Sequence, residues 1–168
     1  MKKLNNFTMI LPDRKPDGRI RMTVLIALLT LSSFWGFAQT TFNNTGNISV
    51  PSSGNATPYS SNISVSGMSG VIIEVKVVLT NVNHSNPDDL DIVAQSPTGV
   101  NVVLMSDVMG SDNITNRIYT ISDAGSSNFS NNSSNSSGTY RPTNSGSSDN
   151  WPSPGPGTIT QSSPSLSS

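Results

Sequence analysis

Five aspartates of this 168-residue chain stand where they could hold a cation. Asp88, Asp89 and Asp91 share one short loop, and Asp107 and Asp112 lie just beyond the strand that returns from it. Calcium takes about six to eight oxygen ligands from carboxylates, carbonyls and water, so a carboxylate-rich hairpin end is chemically suited to it. The spacing is not that of an EF-hand loop. A second reading stands beside the first, in which Asp88 and Asp89 accept backbone N–H bonds and fix the turn after Pro87. Alternation along a strand would also put Asp91 on the side opposite Leu90 and Ile92, aimed away from Asp88.

Other chemistry is poorly supplied. A serine triad needs a histidine to take the serine proton and a carboxylate to hold that histidine. The one histidine, His84, sits at a strand-to-turn junction, and no G-x-S-x-G elbow accompanies it. A carboxylate pair for general acid–base work would need a cleft that the sequence does not define. The expectation is therefore a chain with no catalytic residues. Tyr59, Tyr140 and Trp151 could stack on sugars, although Tyr140 lies in a motif where packing is the plainer role.

Charge narrows the partners. Six of nine basic residues fall within the first 21 positions, and beyond residue 38 three basic residues face eight acidic ones, a net of −5. Nucleic-acid binding needs Lys and Arg to neutralise phosphates, and such a chain lacks them. There is no cysteine, which excludes thiol catalysis, disulfides and Cys-based zinc sites. A small exported domain without disulfides fits a bacterial source, its stability coming from the core or from bound ions.

The elements that would position these groups read as all-β. Only 33% of residues are hydrophobic and 11% charged, the remainder being rich in Ser, Asn, Thr and Gly. A sandwich suits this composition because it buries every second strand residue. The apolar run Met22–Ala38 follows basic residues and ends in Gly36-Phe37-Ala38, as a signal peptide cleaved after Ala38 would. Met22 is an alternative start. Residues 1–38 are thus assigned to export, giving a secreted protein with no membrane association after cleavage.

From Thr40 onward, short strands are expected at Asn47–Val50, Asn62–Ser66 and Val71–Thr80. In the last of these Val71, Ile73, Val75, Val77 and Leu79 mark the buried face. Leu90–Met105 reads as a hairpin about the turn Ser96-Pro-Thr-Gly99, and Asn116–Ser122 as a strand with Ile118 and Ile121 inward. Residues 125–138, almost all Ser, Asn and Gly, read as a flexible loop outside any packed core, and 142–168 as a Pro-rich tail. Arg141 is expected to pair with Asp123.

Two stretches carry a resemblance. His84-Ser-Asn-Pro-Asp-Asp-Leu-Asp-Ile92, with Ser96-Pro-Thr-Gly99 and Val102–Asp107, is the first, and Ser137-Gly-Thr-Tyr-Arg-Pro142 is the second. Together they resemble the P domain (P/Homo B) that follows the catalytic domain of subtilisin-like proprotein convertases and recurs in bacterial secreted multidomain proteins. Asp123-Ala124 matches the family's Asp-Ala segment, with Ile121-Ser122 in place of Phe-Asp. The resemblance covers residues 42–166 and implies a jelly-roll-like, galactose-binding-like β-sandwich over 39–168. The family's last two strands have no counterpart, so a truncated module with an exposed sheet edge is expected. It further implies a non-catalytic accessory module that stabilises or tethers an attached domain, such as a serine protease, or docks to a surface. The alternative is an extracellular adhesion or glycan-binding module.

Overall fold

The computed structural model describes residues 39–146 and 148–167, so the signal peptide expected at 1–38 lies outside the described residues. The chain divides into Met1–Thr41 and Phe42–Ser168, and every element below belongs to the second unit. That unit is all-β. Its strands are β1 (Val77–His84), β2 (Ile92–Gln95), β3 (Asn101–Ser106), β4 (Ile114–Ile121), β5 (Gly138–Tyr140), β6 (Thr143–Asn144), β7 (Asp149–Trp151) and β8 (Gly157–Ile159). A short 3-10 turn at Pro87–Asp89 is the only helical piece among the described residues. Three small sheets result, ordered β1-β4-β5, β2-β3-β6 and β7-β8.

The hairpin β2–β3 forms as its sequence requires. Gly99 adopts φ +86°, and its N–H donates to the Ser96 carbonyl at 3.0 Å, closing the Ser-Pro-Thr-Gly turn. Val102, Val103, Leu104 and Met105 are all buried, so β3 is covered on both faces rather than alternating. Gln161 completes that cover. Its side-chain oxygen accepts the Val103 N–H at 2.9 Å and its amide donates to the Asn101 carbonyl at 2.8 Å, substituting for a strand where β6 is too short to reach.

β1 and β4 pair antiparallel with interruptions. Asn81 and Asn116 hold positive φ (57° and 53°), a backbone region that asparagine tolerates better than most residues. The Asn83 side-chain oxygen accepts the Asn116 N–H at 2.9 Å and ties the two irregularities together. The result is a change of face. Val77 and Leu79 turn toward the core before the break, and Val82 does so after it.

Several expectations are corrected. The strand expected over Val71–Thr80 begins only at Val77, and Val71, Ile73 and Val75 are exposed, because no partner strand among the described residues flanks them. Asn47–Val50 contributes one isolated bridge, Ser49 to Thr57, and Asn62–Ser66 forms no strand. Ile118 faces outward, since Tyr119 and Ile121 hold the buried face of β4. Residues 125–138 are not outside the core: Phe129 is buried and packs edge-on to Tyr119 at 5.3 Å and stacked on Tyr140 at 4.5 Å. The segment expected as a tail carries β6, β7 and β8, with Trp151 buried and Leu166 packed on the core. Arg141 donates to the Asn128 side chain and the Gly125 carbonyl instead of pairing with Asp123.

Asp123 has a different task. It accepts the Leu166 N–H at 2.9 Å and the Ser165 hydroxyl at 3.0 Å, pinning a segment more than forty residues downstream. The core itself draws on Leu90, on Leu104 and Met105 of β3, on Val108 and Met109, on Ile114, Tyr119 and Ile121 of β4, and on Phe129.

Candidate metal site

Three chain segments bring carboxylates together. Asp91 immediately precedes β2, Asp107 immediately follows β3, and Asp149 opens β7. One carboxylate oxygen from each lies within 4.8 Å of the other two. The hairpin register explains the first pair, because Ile92 opposes Met105 and so Asp91 falls beside the end of β3. There the Ser106 hydroxyl donates to Asp91 at 2.6 Å. Asp107 then turns with φ +52°. The third carboxylate comes from the far side of β6, where the Asn144 amide donates to Asp149 at 3.1 Å.

Gly146 leaves room for the cluster. A Cβ there would overlap the Asp107 carboxylate, which would have to swing aside. The Gly146 N–H donates to the Asn144 side-chain oxygen at 2.8 Å, and the Ser145 N–H to the Ser106 carbonyl at 3.0 Å, which fixes this turn against β3. Gly146→Ala is expected to push Asp107 out of the cluster at a cost under about 1 kcal/mol, because the displaced atoms end a flexible side chain and their departure relieves the crowding of charge. Urea unfolding of the variant measures that cost. A stability lowered by several kcal/mol would show that the turn does not yield.

The electrostatics are those of crowded anions. Asp91 is held above the ordinary aspartate range, first by burial and then by the charges of Asp149 and Asp89, against the Ser106 bond that favours ionisation. Asp107 is raised by burial and by the charges of Asp149, Asp91 and Asp88. Elsewhere the balance reverses. Burial also opposes ionisation of Asp123, but the bonds from Leu166, Ser165 and Ser167 outweigh it and hold the carboxyl low. Glu74 is lowered by the Ser122 hydroxyl and by Lys76.

These directions set a pH dependence. Asp91 and Asp107 bind protons more tightly folded than unfolded, so their contribution is full below the ordinary aspartate range and lost as pH rises through the raised values. The contributions of Asp123 and Glu74 are present above the ordinary carboxyl range and lost as pH falls through the lowered values. In chelator, melting temperature is expected to climb less, or to fall, as pH rises from roughly 4 to 6 in the wild type, and to climb in Asp91→Asn/Asp107→Asn, which keeps only the Asp123 and Glu74 contributions. Melting curves at stepped pH check this, and parallel curves for the two proteins would contradict it.

The sequence candidates divide. Asp91 and Asp107 join the cluster. Asp88, Asp89 and Asp112 are not members of it, although Asp88 and Asp89 lie close enough for their charges to act on Asp107 and Asp91. Asp89 accepts the Asn86 side-chain amide at 2.5 Å, and the Asp88 N–H donates to the Gly110 carbonyl at 3.1 Å, so both shape the turn. Asp112 is exposed. Asp149 was not among the sequence candidates. Its signal is the Asp149-Asn-Trp151 alternation, in which a large apolar residue two positions on marks a strand rather than a tail.

Among the described residues no carboxylate is bonded to His84. Its Nδ1 faces the Asn86 backbone, at 3.2 Å from the nitrogen and 2.7 Å from the carbonyl oxygen, beside a cleft of about 280 Å³ also lined by Ser52, Asn83, Asn113 and Thr115. Of the aromatic residues considered for sugar stacking, Trp151 is buried, Tyr140 packs on Phe129, and Tyr59 is half-buried. No family model, no curated protein and no solved structure matches this chain.

Proposed function

We propose that this chain is a non-catalytic, exported accessory module of the P-domain kind, a jelly-roll-like sandwich that stabilises or tethers a neighbouring domain or docks to a surface. One observation carries the reading: the chain immediately after the second stretch pairs with the end of the first, far from it in sequence. Tyr140 pairs with Ile121 in one sheet, and Thr143 and Asn144 pair with Met105 and Ser106 in the other. The Ser137–Pro142 motif therefore leads from the β1-β4-β5 sheet to the strand that pairs with β3. The polar groups of both motifs are taken up in this framework, as the Arg141, Asp89 and Asp91 bonds illustrate.

Calcium belongs to the same reading. Ligand oxygens about 2.3–2.6 Å from one ion lie at most about 5 Å apart, a span that fits the cluster of Asp91, Asp107 and Asp149. Carbonyls, water or bidentate contacts would complete the shell. Bound there, the ion would neutralise the repulsion and fasten the hairpin end to the start of β7.

A fluorophosphonate probe, which labels activated serines, is expected to leave the chain unmodified. Labelling that His84→Ala abolishes would overturn the non-catalytic reading. A glycan array separates the adhesion alternative: the accessory module leaves it blank, while sugar binding would favour the alternative.

A further inference from the structure

The segment ahead of β1 exposes a run of large apolar side chains. Val71, Ile72 and Ile73 are 88%, 67% and 70% exposed, and Val75 and Val78 are exposed beside them. No backbone–backbone hydrogen bond involves residues 58–76. β1 is an edge strand, and its side away from β4 has no partner among the described residues. An apolar segment running into a free edge is a place to which another strand can add.

Charge identifies the strand. Glu74 and Lys76 are the only charged side chains between Arg21 and Asp88, and they stand two apart on one side of the segment. We propose that the segment Val71–Leu79 pairs antiparallel with the same segment of a second copy, about a two-fold axis at Val75. In that register Glu74 of each copy faces Lys76 of the other, while Ile73 faces Val77, Ile72 faces Val78 and Val71 faces Leu79.

The alternatives are each penalised. Sliding by two residues in one direction sets Glu74 against Glu74, and in the other Lys76 against Lys76, and like charges directly opposed are destabilising. Sliding by one residue joins the core-facing side of one copy to the outer side of the other. The favoured register extends the β1-β4-β5 sheet through the axis and places Val71, Ile73 and Val75 in line with the core-facing Val77 and Leu79. The two-fold closes the assembly at a dimer. The present Lys76–Glu74 contact of 3.2 Å within one chain is exposed, and Lys76 can exchange it for the Glu74 of the other copy while each Glu74 keeps its bond from the Ser122 hydroxyl at 2.9 Å.

Cysteine trapping tests the register on the intact chain, which has no native cysteine. Val75→Cys meets its own copy at the axis, where opposed strand Cα atoms stand about 4.5–5.5 Å apart and accept a disulfide. Mild oxidation is expected to give a linked dimer for Val75→Cys, none for Ile72→Cys, and a linked dimer again for Ile72→Cys/Val78→Cys. Sedimentation is expected to show Glu74→Lys weakening the dimer about tenfold, and Glu74→Lys/Lys76→Glu restoring it. A chain that stays monomeric and unlinked at Val75→Cys overturns the proposal. So does equal linking of Val75→Cys and Ile72→Cys, which marks unregistered adhesion, or failure of the charge swap to restore association.

Discussion

Truncating Tyr119 to alanine is expected to cost about 3–5 kcal/mol, enough to unfold much of a domain whose total stability lies in the usual range of roughly 5–15 kcal/mol. Tyr119 is fully buried on β4. Its ring meets Phe129 edge-on at 5.3 Å and Tyr140 at 6.0 Å, so one truncation removes contacts to the 125–138 loop and to β5 together. Its hydroxyl donates to the Asn135 carbonyl at 2.9 Å, a second tie to the same loop. Tyr119→Phe isolates that bond and is expected to cost about 1–2 kcal/mol, because the carbonyl loses its donor in a partly buried place. Urea unfolding followed by tryptophan fluorescence measures both. A loss under about 1 kcal/mol for Tyr119→Ala would mean that the aromatic trio does not hold the loop.

The second large effect is a crossing pattern at Asp149. Three carboxylates with oxygens within 4.8 Å of one another repel by a few kcal/mol, on the order of the Coulomb energy near a protein surface before solvent screening. Asp149→Asn removes one charge while keeping an oxygen that the Asn144 amide can reach. In chelator the variant is therefore expected to melt above the wild type. In calcium the order is expected to reverse. Calcium at about a hundred times its dissociation constant adds roughly 2.7 kcal/mol to a protein that binds it only when folded, or roughly 10 °C in melting temperature for a unit of this size. The variant gains little. Thermal melts of both proteins in chelator and in calcium read the four values, and lines that fail to cross contradict the cluster's assigned role.

The parts of the fold legible in sequence were those specified by local chemistry. Ser96-Pro-Thr-Gly99 determines a turn by itself, and the apolar residues on either side could only be its two strands. Val71–Val75 misled for a physical reason. Alternation states which face a strand would bury, but burial needs a neighbour, and among the described residues no strand lies beside those positions. Phe129 was hidden by its surroundings, since one aromatic anchor scarcely alters the composition of a Ser/Asn-rich stretch yet suffices to seat it in the core. Ile118 and Ile121 stand three apart and so lie on opposite faces of β4, with Tyr119 and Ile121 inward; the irregularity at Asn116 that also turns Ile114 inward leaves little trace in a hydrophobic pattern.

The candidate site was half legible for a similar reason. Asp91 and Asp107 lie at the two ends of one hairpin, so sequence proximity and the strand register together bring them near each other. Asp149 reaches them only because β6 pairs with β3 and Asn144 and Gly146 turn the chain back, none of which a Pro-rich composition announces. Asp88 and Asp89 attracted attention by density alone. Their bonds belong to the turn after Pro87, which was the other reading open for them.

Isothermal titration of the intact, chelator-stripped chain with calcium chloride is the most direct test of a calcium-fastened accessory module. One ion per chain is expected for the wild type and for Asp112→Asn, with binding lost in Asp149→Asn. No heat in the wild type, or undiminished binding in Asp149→Asn, would contradict the account.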